Sequence, residues 1–95
     1  MENQHRKITG YRELTQAEID LMNEIKAMGV QLEALGTKVF DHVKNQIAEA
    51  NDKDDETESL RLDKANPMIW VYDGASSLQK GLMFLTRSVA QPTFF

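Results

Sequence analysis

Ninety-five residues, 41% of them hydrophobic and 27% charged, describe one small folded domain with no room for a second core. The absence of cysteine excludes disulfides, thiolate metal sites and cysteine nucleophiles. The net charge of −4 is local: residues 51–60 hold five acids (Asp52, Asp54, Asp55, Glu56, Glu58) against Lys53, and the rest balances at 10 acidic and 10 basic side chains, which admits an anionic ligand but not the broadly basic face of a DNA or RNA polymer binder.

The chain starts Met1-Glu2-Asn3-Gln4-His5-Arg6-Lys7 with no apolar stretch behind its charges, so no secretory signal is expected. No apolar run approaches the roughly 18 residues of a membrane span, and a soluble intracellular protein with no membrane partner is expected. Residues 1–14 lack any helical or alternating period, and Gly10 interrupts them. His5, Arg6, Lys7 and Arg12 surround Tyr11 in sequence, and the stretch reads as an ordered N-terminal arm.

Thr15-Gln16-Ala17-Glu18 is a capping box, in which hydroxyl and carboxylate each satisfy a free backbone N–H, and Leu14 with Ile19 fits a hydrophobic staple. From there Leu21, Ile25, Met28, Leu32, Leu35 and Val39 recur at steps of four and three, and Val43 and Ile47 continue more loosely. A helix over about 16–50 is predicted, with this stripe as its buried seam. Residues 51–65 are polar, acidic and aperiodic, and read as a solvated connection. Asn66-Pro67 reads as an N-cap followed by proline at the first helical position. Met68, Val71, Ala75, Leu78, Leu82, Leu85 and Val89 then mark a second helix over about 67–90, which Pro92 ends, leaving a tail over 91–95. The expected fold is all-α: a single-domain antiparallel helical hairpin over 1–95.

Two features predict a homo-oligomer. Gly29 and Gly36 lie seven apart in the first helix, as do Gly74, Gly81 and Ser88 in the second. Each internal helical glycine costs about 1 kcal/mol relative to alanine, so a close neighbour is expected in return. Met22, Phe40, Ile69, Trp70, Met83, Phe84, Phe94 and Phe95 also lie outside both stripes, and apolar surface on that scale marks an interface.

No catalytic constellation stands out. His5 and His42 lack a second histidine one turn away. The Asp52–Glu58 run lacks the glycine and the closing glutamate of a calcium loop, so no metal is expected. No nucleophile elbow, Walker or dinucleotide-binding motif occurs, and neither a cofactor nor an enzyme is expected. A binding site has more support. Tyr11 offers a face on which a base could stack, Arg6, Lys7, Arg12 and Lys26 offer cations, and Thr86-Arg87-Ser88 adds hydroxyls and a further cation. A hairpin brings the end of the second helix beside the start of the first. A solvated basic arm with ordinary surface polar residues accounts for the same residues more simply, and spacing alone does not overturn that reading.

Gly10-Tyr11-Arg12-Glu13-Leu14-Thr15 and Glu18-Ile19-Asp20-Leu21-Met22-Asn23-Glu24-Ile25-Lys26 resemble the helical-hairpin domain shared by two families of phage anti-defence sponges. One family acts against CBASS, the bacterial defence in which cyclic oligonucleotides trigger a killing effector; the other acts against Thoeris defence. The stretch from Leu78 to Thr93 (LQKGLMFLTRSVAQPT) looks like the end of the shorter, anti-CBASS family. The middle, about 36–66, is not distinctive.

The resemblance implies a compact hexamer of helical hairpins, acting in the cytoplasm of the infected bacterium, that captures cyclic dinucleotides such as 3′,3′-cGAMP and cyclic trinucleotides without cleaving them. By motif, Tyr11 would stack on a base, Lys26 would meet a phosphate and Thr86 would hydrogen-bond the dinucleotide. Arg6, Lys7 and Arg87 are candidates for the trinucleotide, and Arg12 is a further candidate contact. Competing expectations are a sponge for cyclic ADP-ribose-type Thoeris signals and a non-nucleotide structural or interaction protein.

Overall fold

The computed structural model describes residues 12–94 of the chain, and these are all-helical: α1 (Gln16–Asp52), α2 (Glu56–Ala65) and α3 (Pro67–Ala90). The start of α1 is set by its capping box. The Glu18 N–H donates to Thr15 Oγ1 at 3.2 Å, and the Thr15 N–H donates back to Glu18 Oε1 at 2.8 Å.

α1 stops in a Schellman turn. The Asp55 N–H reaches the Ala50 carbonyl at 2.9 Å and the Asp54 N–H reaches Asn51 at 3.2 Å, while Asp54 takes the left-handed conformation at φ 49°. The stretch read from sequence as a solvated connection then forms a helix, α2. Asp55 is its N-cap and accepts from the Glu58 N–H at 3.1 Å. Arg61 grips Glu58 one turn on, at 2.6 and 2.8 Å, and Leu62 is buried. The acidity that suggested a solvated connection supplies the N-cap, Asp55, and first-turn acids, Glu56 and Glu58, which the helix dipole favours.

Asn66, expected as the N-cap of the following helix, instead terminates α2. A residue before proline is pushed out of the right-handed helical region, and asparagine tolerates the left-handed one. Asn66 adopts φ 47°, ψ 55°, its N–H returns to the Leu62 carbonyl at 2.8 Å, and α3 begins at once with Pro67. At the other end of α3, Gln91 turns left-handed at φ 52° before Pro92.

The chain forms two compact units. In the first, the opening half of α1 lies antiparallel to the closing half of α3. Gly29 faces Leu82, and an added Cβ would meet Leu82 Cδ1 at 3.4 Å, about van der Waals contact. Glu18, Ile19, Met22, Ile25 and Gly29 are the half-buried positions of α1 here, while Leu21 and Met28 of the expected seam are about half exposed, at 48% and 49%. The second unit joins the rest of α1 to α2 and the opening half of α3. Its centre is Val43, Ala50 and Leu62, with the Phe40 and Tyr72 rings tilted against each other at 6.3 Å. Leu32, Gly36 and Phe40 are half-buried, whereas Leu35 and Val39 are exposed.

The seam of α1 therefore keeps Ile25, Leu32 and Val43 of the expected stripe, but takes Met22, Gly29, Gly36 and Phe40 in place of Leu21, Met28, Leu35 and Val39, a rotation of less than one residue's ~100° step. Gly29 and Gly36 lie on the inner side, and Gly29 faces Leu82 of α3. Met22 and Phe40, expected outside the seam, lie on it. In α3 the expected Met68, Val71, Leu82 and Val89 are half-buried, but Ala75, Leu78 and Leu85 are exposed, and Thr86 and Ala90 take inward positions. No side chain among the described residues is completely buried.

Candidate functional site

The first unit carries a groove in which residues from both of its helices meet. Lys26 lies next to the inward Ile25 on α1. On α3, Thr86 is one turn beyond Leu82, and Arg87 follows it. With Gly29, Met83, Ala90 and Pro92 these residues line an open concavity of about 410 Å³. The bare backbone of Gly29 opens its α1 side, and the left-handed turn at Gln91 precedes the Pro92 that lines the other end.

Thr86 is half-buried and its hydroxyl donates to the Leu82 carbonyl at 2.9 Å, which leaves the oxygen's lone pairs able to accept. Arg87 donates to the Phe94 carbonyl at 2.9 Å and so ties down the tail after α3. The apolar walls with one ammonium, one guanidinium and one hydroxyl suit an anion carried on a flat organic body.

A third cation of the same unit, Arg12, is engaged differently. Arg12 Nη1 and Nη2 donate to Glu18 Oε1 at 3.1 Å and Oε2 at 2.5 Å, and Nη2 also donates to the Val89 carbonyl at 2.8 Å. The hydrogen bond from Arg12, reinforced by those from Thr15, pulls the Glu18 carboxyl down to about 2 from its ordinary 4.5. The Arg12 guanidinium is raised in turn by the same bond.

No protein-family model matches the chain. Across 97% of its length, however, it is 42% identical to Anti-CBASS protein 2 of Pseudomonas phage JBD67, with 97% of that protein covered. The chain belongs to the Anti-CBASS protein 2 family.

In this anti-CBASS family member, three of the seven residues singled out by sequence come together: Lys26, Thr86 and Arg87 share the groove. Arg12 does not line it, being held by Glu18 and the end of α3. Tyr11, Arg6 and Lys7 lie outside the described residues.

Sequence reasoning did not assign the other six lining residues, Ile25, Gly29, Leu82, Met83, Ala90 and Pro92, to a site. Gly29 had been marked as needing a close neighbour and Met83 as apolar surface without a seam, so each carried a signal that spacing alone could not assign to a groove. His42 is exposed in the second unit. Asp54 and Asp55 of the acidic run serve the Schellman turn and the cap of α2. Among the described residues no three His, Asp or Glu side chains cluster to hold a metal ion, and no helix is long and apolar enough to cross a membrane.

Proposed function

We propose that this chain is a phage anti-defence protein that opposes CBASS by binding cyclic di- and trinucleotides and withholding them from the effector, without cleaving them. The convergence of Lys26, Thr86 and Arg87 on one open groove carries this reading, together with membership of the anti-CBASS family. Lys26 and Arg87 would meet phosphate oxygens, the Thr86 oxygen would take a hydrogen bond, and the apolar walls would lie against a base or ribose. Tyr11 adds a stacking face, as its Gly-Tyr-Arg segment implies. Sequestration needs only affinity and abundance, and each ~1.4 kcal/mol tightens capture tenfold.

The protein would do this as a homo-oligomer, a hexamer by resemblance to its family, in the cytoplasm of the infected host. Large exposed apolar side chains support self-association. Leu35, Trp70, Met83, Phe84 and Leu85 all expose more than half their surface, while among the described residues only Val43, Ala50, Leu62 and Ala90 are buried.

Calorimetric titration with 3′,3′-cGAMP tests the reading, followed by heat release and chromatography of the ligand. Binding with intact ligand recovered is expected. Lys26→Ala removes a charge-assisted contact worth about 1.5–3 kcal/mol, so roughly 10- to 150-fold weaker binding is expected. Absence of binding to cyclic di- and trinucleotides refutes the proposal. Binding of cyclic ADP-ribose isomers alone would move the protein to the Thoeris signals.

A further inference from the structure

Gly29 lines the groove from α1, yet packing within the chain does not require a glycine there. It stands inside a continuous helix, where glycine is the poorest helix former after proline. A Cβ added at this position would meet Leu82 Cδ1 at 3.4 Å, contact with the far end of a flexible side chain and with no backbone. Alanine would therefore suit the helix better and would lie against α3 at ordinary van der Waals distance.

What a side chain at 29 would disturb is the groove. In an α-helix the Cα–Cβ bond tilts toward the N-terminus, and a side chain covers the turn before its own Cα. A methyl at 29 would lean over the turn that carries Ile25 and Lys26, the other two α1 residues of the groove. Lys26 stands three positions earlier, on the same side of the helix. From α3, the residue that Gly29 faces is Leu82, and the Leu82 carbonyl accepts the Thr86 hydroxyl at 2.9 Å. The bared turn of α1 thus shares the groove with an ammonium and a half-buried hydroxyl.

We propose that Gly29 is a ligand-contact position: its missing side chain lets the flat body of a cyclic dinucleotide lie against the α1 backbone, within reach of Lys26 and Thr86. This rests on the binding reading of the groove. The physical basis is fit, because a surface packed at van der Waals distance has no room for an added methyl.

The test pairs binding with stability in the full-length protein, using Gly29→Ala and Gly81→Ala. Gly81 is an exposed glycine of α3 in the same unit; it does not line the groove, and nothing lies within 4 Å of a Cβ added there. Both variants are expected to melt a few degrees above the native chain, because both replace a helical glycine. Calorimetric titration with 3′,3′-cGAMP is expected to show binding weakened roughly 5- to 100-fold in Gly29→Ala, as overpacking costs, and unchanged in Gly81→Ala. The more stable protein would then be the weaker binder.

Binding that Gly29→Ala leaves unchanged, or that Gly81→Ala weakens equally, would overturn the proposal while leaving the binding reading in place. A fall in the melting temperature of Gly29→Ala, or a changed sedimentation profile, would also overturn it, by showing that the glycine serves packing within or between chains. No binding by the native chain would overturn the dinucleotide reading and this proposal together.

Discussion

Leu62→Ala tests whether α2 is part of the packed structure or only a decorated loop. Leu62 is 6% exposed, while Leu60, two residues earlier on the same helix, is 63% exposed. Replacing leucine with alanine deletes three carbons, worth about 2.4 kcal/mol at ~0.8 kcal/mol each. A cavity term adds to this. Leu62 already borders a void of about 150 Å³ shared with Ile47, Ala50 and Met68, so the gap left behind would merge with it. A total near 3 kcal/mol is expected, against about 0.5 kcal/mol or less for Leu60→Ala.

Urea denaturation followed by far-UV circular dichroism and by the fluorescence of Trp70 would measure both variants. Repeating the titration at tenfold lower protein concentration separates burial within one chain from burial between chains, because only the second depends on concentration. A Leu62→Ala loss below about 1 kcal/mol, or one no larger than that of Leu60→Ala, would refute the docking of α2.

Three further outcomes are expected. The carboxyl of Glu18 titrates near 2 in the folded chain against an ordinary 4.5. A depressed acid stabilises the fold fully above the higher value and loses that contribution as pH falls toward the lower. The melting temperature should therefore fall between about pH 4.5 and 2, with a shallower slope in Glu18→Gln; identical slopes would refute the pairing with Arg12 and Thr15. Asp54→Gly relieves a left-handed aspartate, and about 1 kcal/mol of added stability in chemical denaturation is expected; destabilisation would show that the Asp54 side chain matters more than its backbone. Leu35→Glu places a charge on the exposed row of Leu21, Met28 and Leu35, and sedimentation should show a smaller species than the wild type; an unchanged profile would exclude that row from the interface.

The family could be read from the two ends of the chain, because the Gly-Tyr-Arg and Leu-Thr-Arg segments carry its motifs. The site could be read only in part. Lys26, Thr86 and Arg87 meet as a hairpin would bring them, but Arg12 had looked like one more cation of a basic arm. What sets it apart is an acceptor 77 residues away, the Val89 carbonyl, and no local pattern can announce a partner at that separation.

The helix ends were fixed locally. Thr15 and Glu18 close a turn within four residues, and Pro67 and Pro92 act through their own rings, so the sequence by itself determined where α1 and α3 begin and where α3 must stop. α2 is likewise started locally by its N-cap Asp55, but one buried leucine in ten residues gives no period to read. Which side of α1 turns inward was decided only by the tertiary structure. Residues 21, 28 and 35 and residues 22, 29 and 36 repeat with the same spacing one step apart, so periodicity cannot choose between them. Bulk and hydrophobicity favour the first row, yet the fold turns the second inward, with Gly29 facing Leu82 of α3, a partner far away in sequence.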